Sequence, residues 1–79
     1  MSRLRELTLE VASRYTGLRR SGKAWVGLCP IHRERRPSFH VYPDGRFFCF
    51  GCLTHGDAAD LLSAVEEVSL GDAIRILLG

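Results

Sequence analysis

The 79-residue sequence predicts a small α+β domain, in which a short antiparallel sheet is flanked by an N-terminal helix and two C-terminal helices. Apolar residues recur at helical spacing near both ends of the chain, whereas the middle contains short aromatic and β-branched runs. Two pairs of side chains able to bind a metal also stand in this middle part. Because a chain of this length holds only one core, we expect a single domain over residues 1–79.

The first helix is predicted over residues 3–16. Ser2 can accept hydrogen bonds as its N-cap, and Gly17 followed by Ser21-Gly22 supplies the signals that end it. Its apolar face consists of Leu4, Leu7, Val11, Tyr15 and Leu18. We expect Tyr15 to be an aromatic residue of the core.

Three short strands are predicted within residues 24–28, 38–42 and 46–50, where aromatic and β-branched residues are concentrated. Pro43-Asp44-Gly45 is a strong turn signal, so the last two strands should form a hairpin. Alternation along the first strand of this hairpin places Phe39 and Val41 on one face, and His40 and Tyr42 on the other. Either face contains bulky side chains, so either could be the buried one.

Two helices are predicted to follow, over residues 58–68 and 70–78. Asp57 can cap the first, and Ser69 with Asp72 resembles a capping box at the start of the second. The expected inward residues are Ala58, Leu61, Leu62, Val65 and Val68 in the first, and Leu70, Ala73, Ile74, Leu77 and Leu78 in the second.

The metal-binding pairs are Cys29-Pro30-Ile31-His32 and Cys49-Phe50-Gly51-Cys52, each with two residues between the ligands. Such a spacer lets a tight turn direct both side chains at one ion, with backbone amides available to the thiolates. We expect Gly51 to provide conformational freedom in the second turn. Three thiolates and one imidazole suit Zn²⁺ in tetrahedral geometry, which predicts a zinc ribbon over residues 24–56.

Other uses of these side chains fit less well. A Cys49–Cys52 redox pair would leave Cys29 and His32 without a role, and an iron–sulfur cluster usually requires four cysteines. A catalytic zinc would keep one coordination position open, whereas four protein ligands close it. We therefore expect one structural zinc, with His40 a surface or half-buried residue. His55 is expected to act in the turn before Asp57, or to hydrogen-bond a zinc thiolate.

Charge and composition narrow the class of protein. The chain is 46% apolar and 25% charged, which is ordinary for a globular protein, and three cysteines cannot form a complete disulfide framework. Residues 1–48 carry ten Lys and Arg against four Asp and Glu, so a basic strip could bind phosphates, although it could equally be a solubilising surface. With no signal peptide and no apolar run long enough to span a membrane, we expect a cytoplasmic protein with no membrane partner.

Taken together, these motifs resemble the N-terminal zinc-binding domain of DnaG-type bacterial primases. The resemblance is carried by the run Cys29-Pro30-x-His32-x-Glu34-Arg35-x-Pro37-Ser38-Phe39-x-Val41, then Phe48-Cys49-Phe50-Gly51-Cys52 and His55-Gly56-Asp57. It extends upstream to Tyr15 and downstream to Ala73-Ile74, and so covers nearly the whole chain. Two positions depart from the family, with Leu53 where Gly is common and Arg36 where Thr is common.

The resemblance implies a module that holds a single-stranded DNA template while a catalytic domain, in cis or in trans, synthesises the RNA primer. That catalytic domain is absent from these residues, so the chain itself is expected to have no catalytic residues and no small-molecule substrate. A zinc-ribbon protein of a phage or mobile element, binding DNA or a protein partner without priming, is the alternative. A module that binds only proteins, through the apolar faces of its terminal helices, is a third possibility.

Candidate DNA-binding residues are of two kinds. Cations in or beside the ribbon could neutralise phosphates, and these are Lys23, Arg33, Arg35, Arg36 and Arg46. Exposed aromatic rings could stack on unpaired bases, and the candidates are Tyr42 and Phe48, each of which could instead belong to the core. Trp25 is more consistent with a core position, and Phe39, Phe47 and Phe50 are assigned to packing.

Overall fold

The order of elements is that of an α+β fold, here seen in a computed structural model that describes residues 3–32 and 35–79. The elements are α1 (Arg3–Tyr15), β1 (Leu18–Ser21), β2 (Ala24–Gly27), β3 (Phe39–Val41), β4 (Phe47–Cys49), β5 (His55–Gly56), α2 (Ala58–Glu66) and α3 (Leu70–Leu78). The predicted cap Ser2 lies outside the described residues. No helix in the described ranges is long and apolar enough to cross a membrane.

The five strands form one antiparallel sheet in the order β1-β2-β3-β4-β5. The predicted hairpin is β3–β4, but two further strands extend the sheet at its edges. The prediction that Leu18 continues the first helix is wrong, since Leu18 begins β1 and pairs with Gly27. The helix ends at Tyr15 because Gly17 interrupts it, and the next residues turn back on β2 through Gly22 (φ 62°).

One face of the sheet forms the core with α1 and α2. Phe39, Val41, Phe47 and Cys49 are at most 2% exposed and pack with residues of both helices, Val11, Ala12, Ala58 and Leu61. The period-2 pattern of β3 therefore holds, and the face carrying Phe39 and Val41 is the buried one. The other face, with His40 and Phe48 at its centre, carries none of these core side chains.

The caps of α2 and α3 explain where these helices begin. Asp57 accepts hydrogen bonds from the amides of Ala59 and Asp60, and the Asp60 carboxylate accepts one from the Asp57 amide, which completes a capping box. The Ser69 hydroxyl accepts from the Asp72 amide at 3.1 Å. The first of the two helices ends at Glu66, two residues earlier than expected, because Glu67 adopts a left-handed conformation (φ 56°).

The burial of α3 differs from the expectation. Ala73 is fully buried against Ala59 and Leu62 of α2, and Ile74 and Leu77 pack beside it. Leu70 and Leu78, expected to point inward, are each 48% exposed, and Ile76 is 63% exposed. Only a narrow stripe of this nine-residue helix contacts α2. The helical spacing of its apolar residues therefore predicts a wider buried face than the helix has.

The β3–β4 turn is attached to α1 at Gly45. The Thr8 hydroxyl donates a hydrogen bond of 2.6 Å to the Gly45 carbonyl oxygen, and Thr8 is fully buried. Gly45 itself has φ 86°, and a Cβ atom there would collide with the backbone carbonyl of Arg5. Glycine is thus required both for the backbone conformation and for the close approach of the helix.

We expect Gly45→Ala to lower the free energy of unfolding of the zinc-loaded chain by more than about 2 kcal/mol, because strain and a backbone collision add. Urea denaturation followed by circular dichroism measures it. Gly71→Ala is the matched control: nothing lies within 4 Å of a Cβ at this helical position, so stability should stay equal or rise. Equal stability of the two variants would contradict the role assigned to Gly45.

Candidate metal centre

The structure brings Cys29, His32, Cys49 and Cys52 to one point. Cys29 and His32 lie in the loop after β2, Cys49 is the last residue of β4, and Cys52 lies in the turn that follows. Their donor atoms all lie within 4.8 Å of one another. Cys29 and Cys49 are buried, while His32 and Cys52 are half-buried. Residues from two separate turns thus form one compact donor set.

The turn from Cys49 to Cys52 is built by backbone hydrogen bonds. The Leu53 amide donates to the Cys49 carbonyl at 2.7 Å, and the Cys49 amide donates to the Thr54 carbonyl at 2.9 Å. The residue with positive φ is Leu53 (φ 63°), so the freedom expected of Gly51 is needed at Leu53 instead. A leucine in the left-handed region costs about 1–2 kcal/mol.

Polar groups surround the sulfur atoms. The amides of Gly51 and Cys52 hydrogen-bond the Cys49 sulfur, and those of Ile31 and His32 hydrogen-bond that of Cys29. The Ser38 hydroxyl lies 3.5 Å from the Cys49 sulfur, and the Thr54 hydroxyl lies 3.2 Å from that of Cys52. Hydroxyl and amide donors stabilise thiolates, the form in which cysteine binds a metal.

The pKa values of the neighbouring Cys29 and Cys49 thiols are shifted in opposite directions. Burial raises the pKa of the Cys29 thiol, and the hydrogen bonds that it receives from the backbone only partly offset this. Burial would also raise the pKa of Cys49, but hydrogen bonds from Ser38, Cys29 and the backbone of Cys52 and Gly51 together outweigh burial and hold that pKa below its usual range. A divalent cation among these sulfurs would favour the thiolate in each case.

The donor set fits zinc. Three sulfurs and one imidazole nitrogen match the ligands of structural sites, and four of them close a tetrahedral shell. The site is not a disulfide, since the three cysteines are free and the sulfurs of Cys29 and Cys52 lie 3.9 Å apart.

His40 and His55 are not members of this set of metal-binding side chains. His55 lies in β5 and stacks on Phe48, which differs from the turn role expected of it.

The cations named from the sequence are spread around the ribbon. Lys23 is exposed in the turn between β1 and β2, and Arg35 and Arg36 are exposed in the loop before β3. Arg46 precedes β4 and makes a 3.8 Å ion pair with Asp44, in which both side chains are more than half exposed. Arg33 lies outside the described residues.

The division of the aromatic residues into buried and exposed ones differs in part from the prediction made from the sequence. Phe39 and Phe47 are buried, as assigned, with ring centroids 5.4 Å apart. Phe50 is 57% exposed, so its assignment to packing is wrong: it follows β4 on the side of the sheet that the helices do not cover. Tyr42, Phe48 and Trp25 are half-buried.

The uncovered face carries a continuous cluster of rings, which we call the ring face: Tyr42, His40, Phe50, Phe48 and His55. Their successive centroids are 6.1, 4.9, 4.7 and 5.9 Å apart. Strand register places Arg19 and Val26 in the same row as His40, Phe48 and His55. Sequence reasoning missed Arg19, Phe50 and the two histidines as part of this surface, because β1 and β5 were not predicted and alternation alone does not give the register.

The fold and the donor set together define a small zinc ribbon with flanking helices. The model of the CHC2 zinc finger, the zinc ribbon of DnaG, matches residues 3–79, so the chain belongs to this family and contains one structural zinc. The chain is 44% identical over 68 residues to a DNA primase of Borreliella burgdorferi and 46% identical over 70 residues to one of Mycobacterium leprae. These alignments cover 85% and 86% of the chain.

A solved structure supports the same family assignment. The crystal structure of the Aquifex aeolicus primase, comprising zinc-binding and RNA polymerase domains, matches 98% of the chain with a TM-score of 0.80 and 36% identity. The chain spans 13% and 11% of the length of the two DNA primases and 21% of the Aquifex chain. It therefore corresponds to a small part of each of these proteins.

We expect metal analysis to find one zinc per chain, and Cys49→Ser to lose zinc and the ordered sheet together. A closed site contributes about 10–16 kcal/mol of apparent binding energy, which is coupled to folding. Ser38→Ala is the control, since it removes a hydrogen bond to the Cys49 sulfur but no ligand. A Cys49→Ser protein that kept its circular dichroism and full zinc content would rule out Cys49 as a ligand.

Proposed function

We propose that this chain is the template-binding module of a DnaG-like primase, with zinc held by Cys29, His32, Cys49 and Cys52. In this role the zinc has no chemical step to perform. It holds the loop after β2 and the turn after β4 in place, and so keeps the sheet between them rigid. The ring face of the sheet would then hold a single DNA strand for a catalytic domain that synthesises the primer.

The observation that carries the proposal is the run of five rings in contact on the uncovered face of the sheet. Unpaired bases stack on such rings whatever their identity, for about 1–3 kcal/mol per base. Phe50 is exposed, and Tyr42 and Phe48 are partly so. A surface of stacked and tilted rings is suited to a flexible single strand, whereas the bases of a duplex already stack on one another.

Cations at the border of the ring face support the same ligand. Arg46 lines a groove of about 460 Å³ together with Tyr42, Phe48 and His55. Its ion pair with Asp44 is exposed and therefore weak, so a phosphate can compete for the guanidinium. Arg19 lies at the β1 end of the central row, where it could contact the next phosphate. Asp57 and Asp60, which also line the groove, are engaged in the α2 cap.

A primase catalytic domain is the proposed protein partner, in cis or in trans. Support comes from the relatives, because the chain matches only 11–13% of two DNA primases. The Aquifex chain that it resembles is described as containing an RNA polymerase domain beside its zinc-binding domain. The proposal therefore assigns primer synthesis to the assembly and template binding to this chain.

We expect Phe48→Ala to weaken binding of the zinc-loaded chain to short single-stranded oligonucleotides by about 1–3 kcal/mol, because one stacking ring is lost. Ile76→Ala, which truncates an exposed apolar residue of α3, should leave affinity unchanged. Fluorescence anisotropy at low salt measures both, and zinc content verifies that each variant is folded. Equal affinities for the two variants, or no binding by the parent chain, would rule out the ring face as the DNA site.

Removing a phosphate contact should change how strongly the DNA affinity depends on salt concentration. We expect Arg46→Ala to reduce the slope of log affinity against log salt concentration by about 1, because one fewer counterion is released on binding. Arg75→Ala removes an equally charged side chain, 81% exposed on α3, and is the control. If both variants keep the parent slope, Arg46 does not contact a phosphate.

The role in priming is tested by domain exchange. The zinc-binding domain of the Aquifex primase would be replaced by this chain, which aligns with that structure over 98% of its length. We expect the hybrid to make more primer on a single-stranded template than the catalytic domain alone, and the hybrid carrying Phe48→Ala to lose most of this gain. No gain from the parent hybrid would favour a zinc-ribbon protein that binds DNA or protein without priming.

A further inference from the structure

A second concave site lies between α1 and the ends of two hairpins, and it borders the ring face at Tyr42. This cavity, of about 370 Å³, has Leu9, Trp25 and Val41 among its lining residues, with Arg5, Arg20 and Lys23 around them. Trp25 and Val41 pair across β2 and β3 in the same row as buried Phe47, so the cavity opens toward the helix side of the sheet. Its volume falls within the range of about 300–1,000 Å³ usual for small-molecule sites.

One wall of the cavity contains a cation–π pair formed by Arg20 and Trp25. The guanidinium carbon of Arg20 lies 5.6 Å from the centroid of the Trp25 ring. Arg20 is held there by a hydrogen bond of 3.2 Å from its Nε to the Gly22 carbonyl, and Trp25 is half-buried. Indole rings and guanidinium planes are the surfaces on which proteins stack a nucleobase.

The charges around the cavity favour an anion. Arg5, Arg20 and Lys23 line it, and within residues 3–32 and 35–79 none of the three takes part in an ion pair. The acidic residues of the lining are Glu6 and Asp44, and Asp44 accepts a hydrogen bond from the Arg46 amide, so three cations face two carboxylates. The remaining excess of positive charge is suited to phosphate, which Arg and Lys bind through charge-assisted hydrogen bonds.

We propose that this cavity is a second nucleotide-binding site, which takes a nucleoside phosphate. The base stacks on the Trp25–Arg20 wall, and the phosphates contact Arg5 and Lys23. A free nucleoside triphosphate and one nucleotide of a passing strand share this chemistry. Of the ring face, Tyr42 lines this cavity, whereas His40, Phe48, Phe50 and His55 do not, so the two sites meet at Tyr42 and otherwise use different rings.

The test uses Trp25 as its own probe, since it is the only tryptophan in the chain. The zinc-loaded protein is titrated with ATP and, separately, with adenosine, while Trp25 fluorescence and its indole N–H resonance are recorded. We expect ATP to shift both signals and adenosine to bind at least about tenfold more weakly, because it lacks the phosphates. A short single-stranded oligonucleotide forms a third arm: a response to ATP identifies a free nucleotide, and a response to the oligonucleotide alone identifies a nucleotide within a strand.

Charge reversal locates the phosphates. Arg5→Glu should weaken binding of the ligand to which Trp25 responds by at least about tenfold. Arg75→Glu makes the same change in net charge and should weaken this binding much less. Lys23→Glu, at an exposed turn, replaces Arg5→Glu if the latter fails to fold. Phe48→Ala should leave the ATP response of Trp25 intact, which separates this site from the DNA surface. No response of Trp25 to either ligand, or equal losses in Arg5→Glu and Arg75→Glu, would overturn the proposal.

Discussion

The convergence of four donor atoms within 4.8 Å is the constraint on which the rest of the structure depends. The strands it joins are two to four residues long, too short to hold a sheet together by their own hydrogen bonds. A small core contributes about 3–5 kcal/mol, whereas zinc bound in a closed site contributes about 10–16 kcal/mol. The metal therefore stabilises the connection between the loop after β2 and the end of β4, and the hairpin between them follows from it.

The two faces of the sheet differ in exposure because the helices cover only one of them. α1 and α2 bury Phe39, Val41 and Phe47, and the contact of Thr8 with Gly45 fixes where α1 lies against the β3–β4 turn. The same contact shapes the cavity beside Arg5. On the opposite face, rings of equal bulk are left in contact with one another and with solvent. A sheet too small for two layers of helices thus leaves an aromatic surface accessible.

Local patterns predicted most of the fold. The ligand pairs, the turn at Pro43-Asp44-Gly45 and the caps at Asp57 and Ser69 all depend on residues a few positions apart, and the structure contains each of them. The errors have a common origin. Leu18 fits a helical stripe but pairs with β2, Leu70 and Leu78 fit an amphipathic helix but remain half exposed, and Phe50 is apolar but lies on the uncovered face. In each case the partner that decides the outcome is distant in the sequence.

By itself, the sequence predicted the cluster of metal-binding side chains, the three helices and the three central strands, since all of these follow from spacing and short-range periodicity, whereas the edge strands β1 and β5 were not predicted. It also determined which side chains of β3 share a face. Only the tertiary structure decided which of the two faces is buried, because that depends on where α1 and α2 pack. Likewise, the register across five strands, and with it the grouping of Arg19, His40 and Phe48 in one row, required the pairing of segments distant in the chain. The cavity around Trp25 arises for the same reason, since its walls come from α1 and from both hairpins.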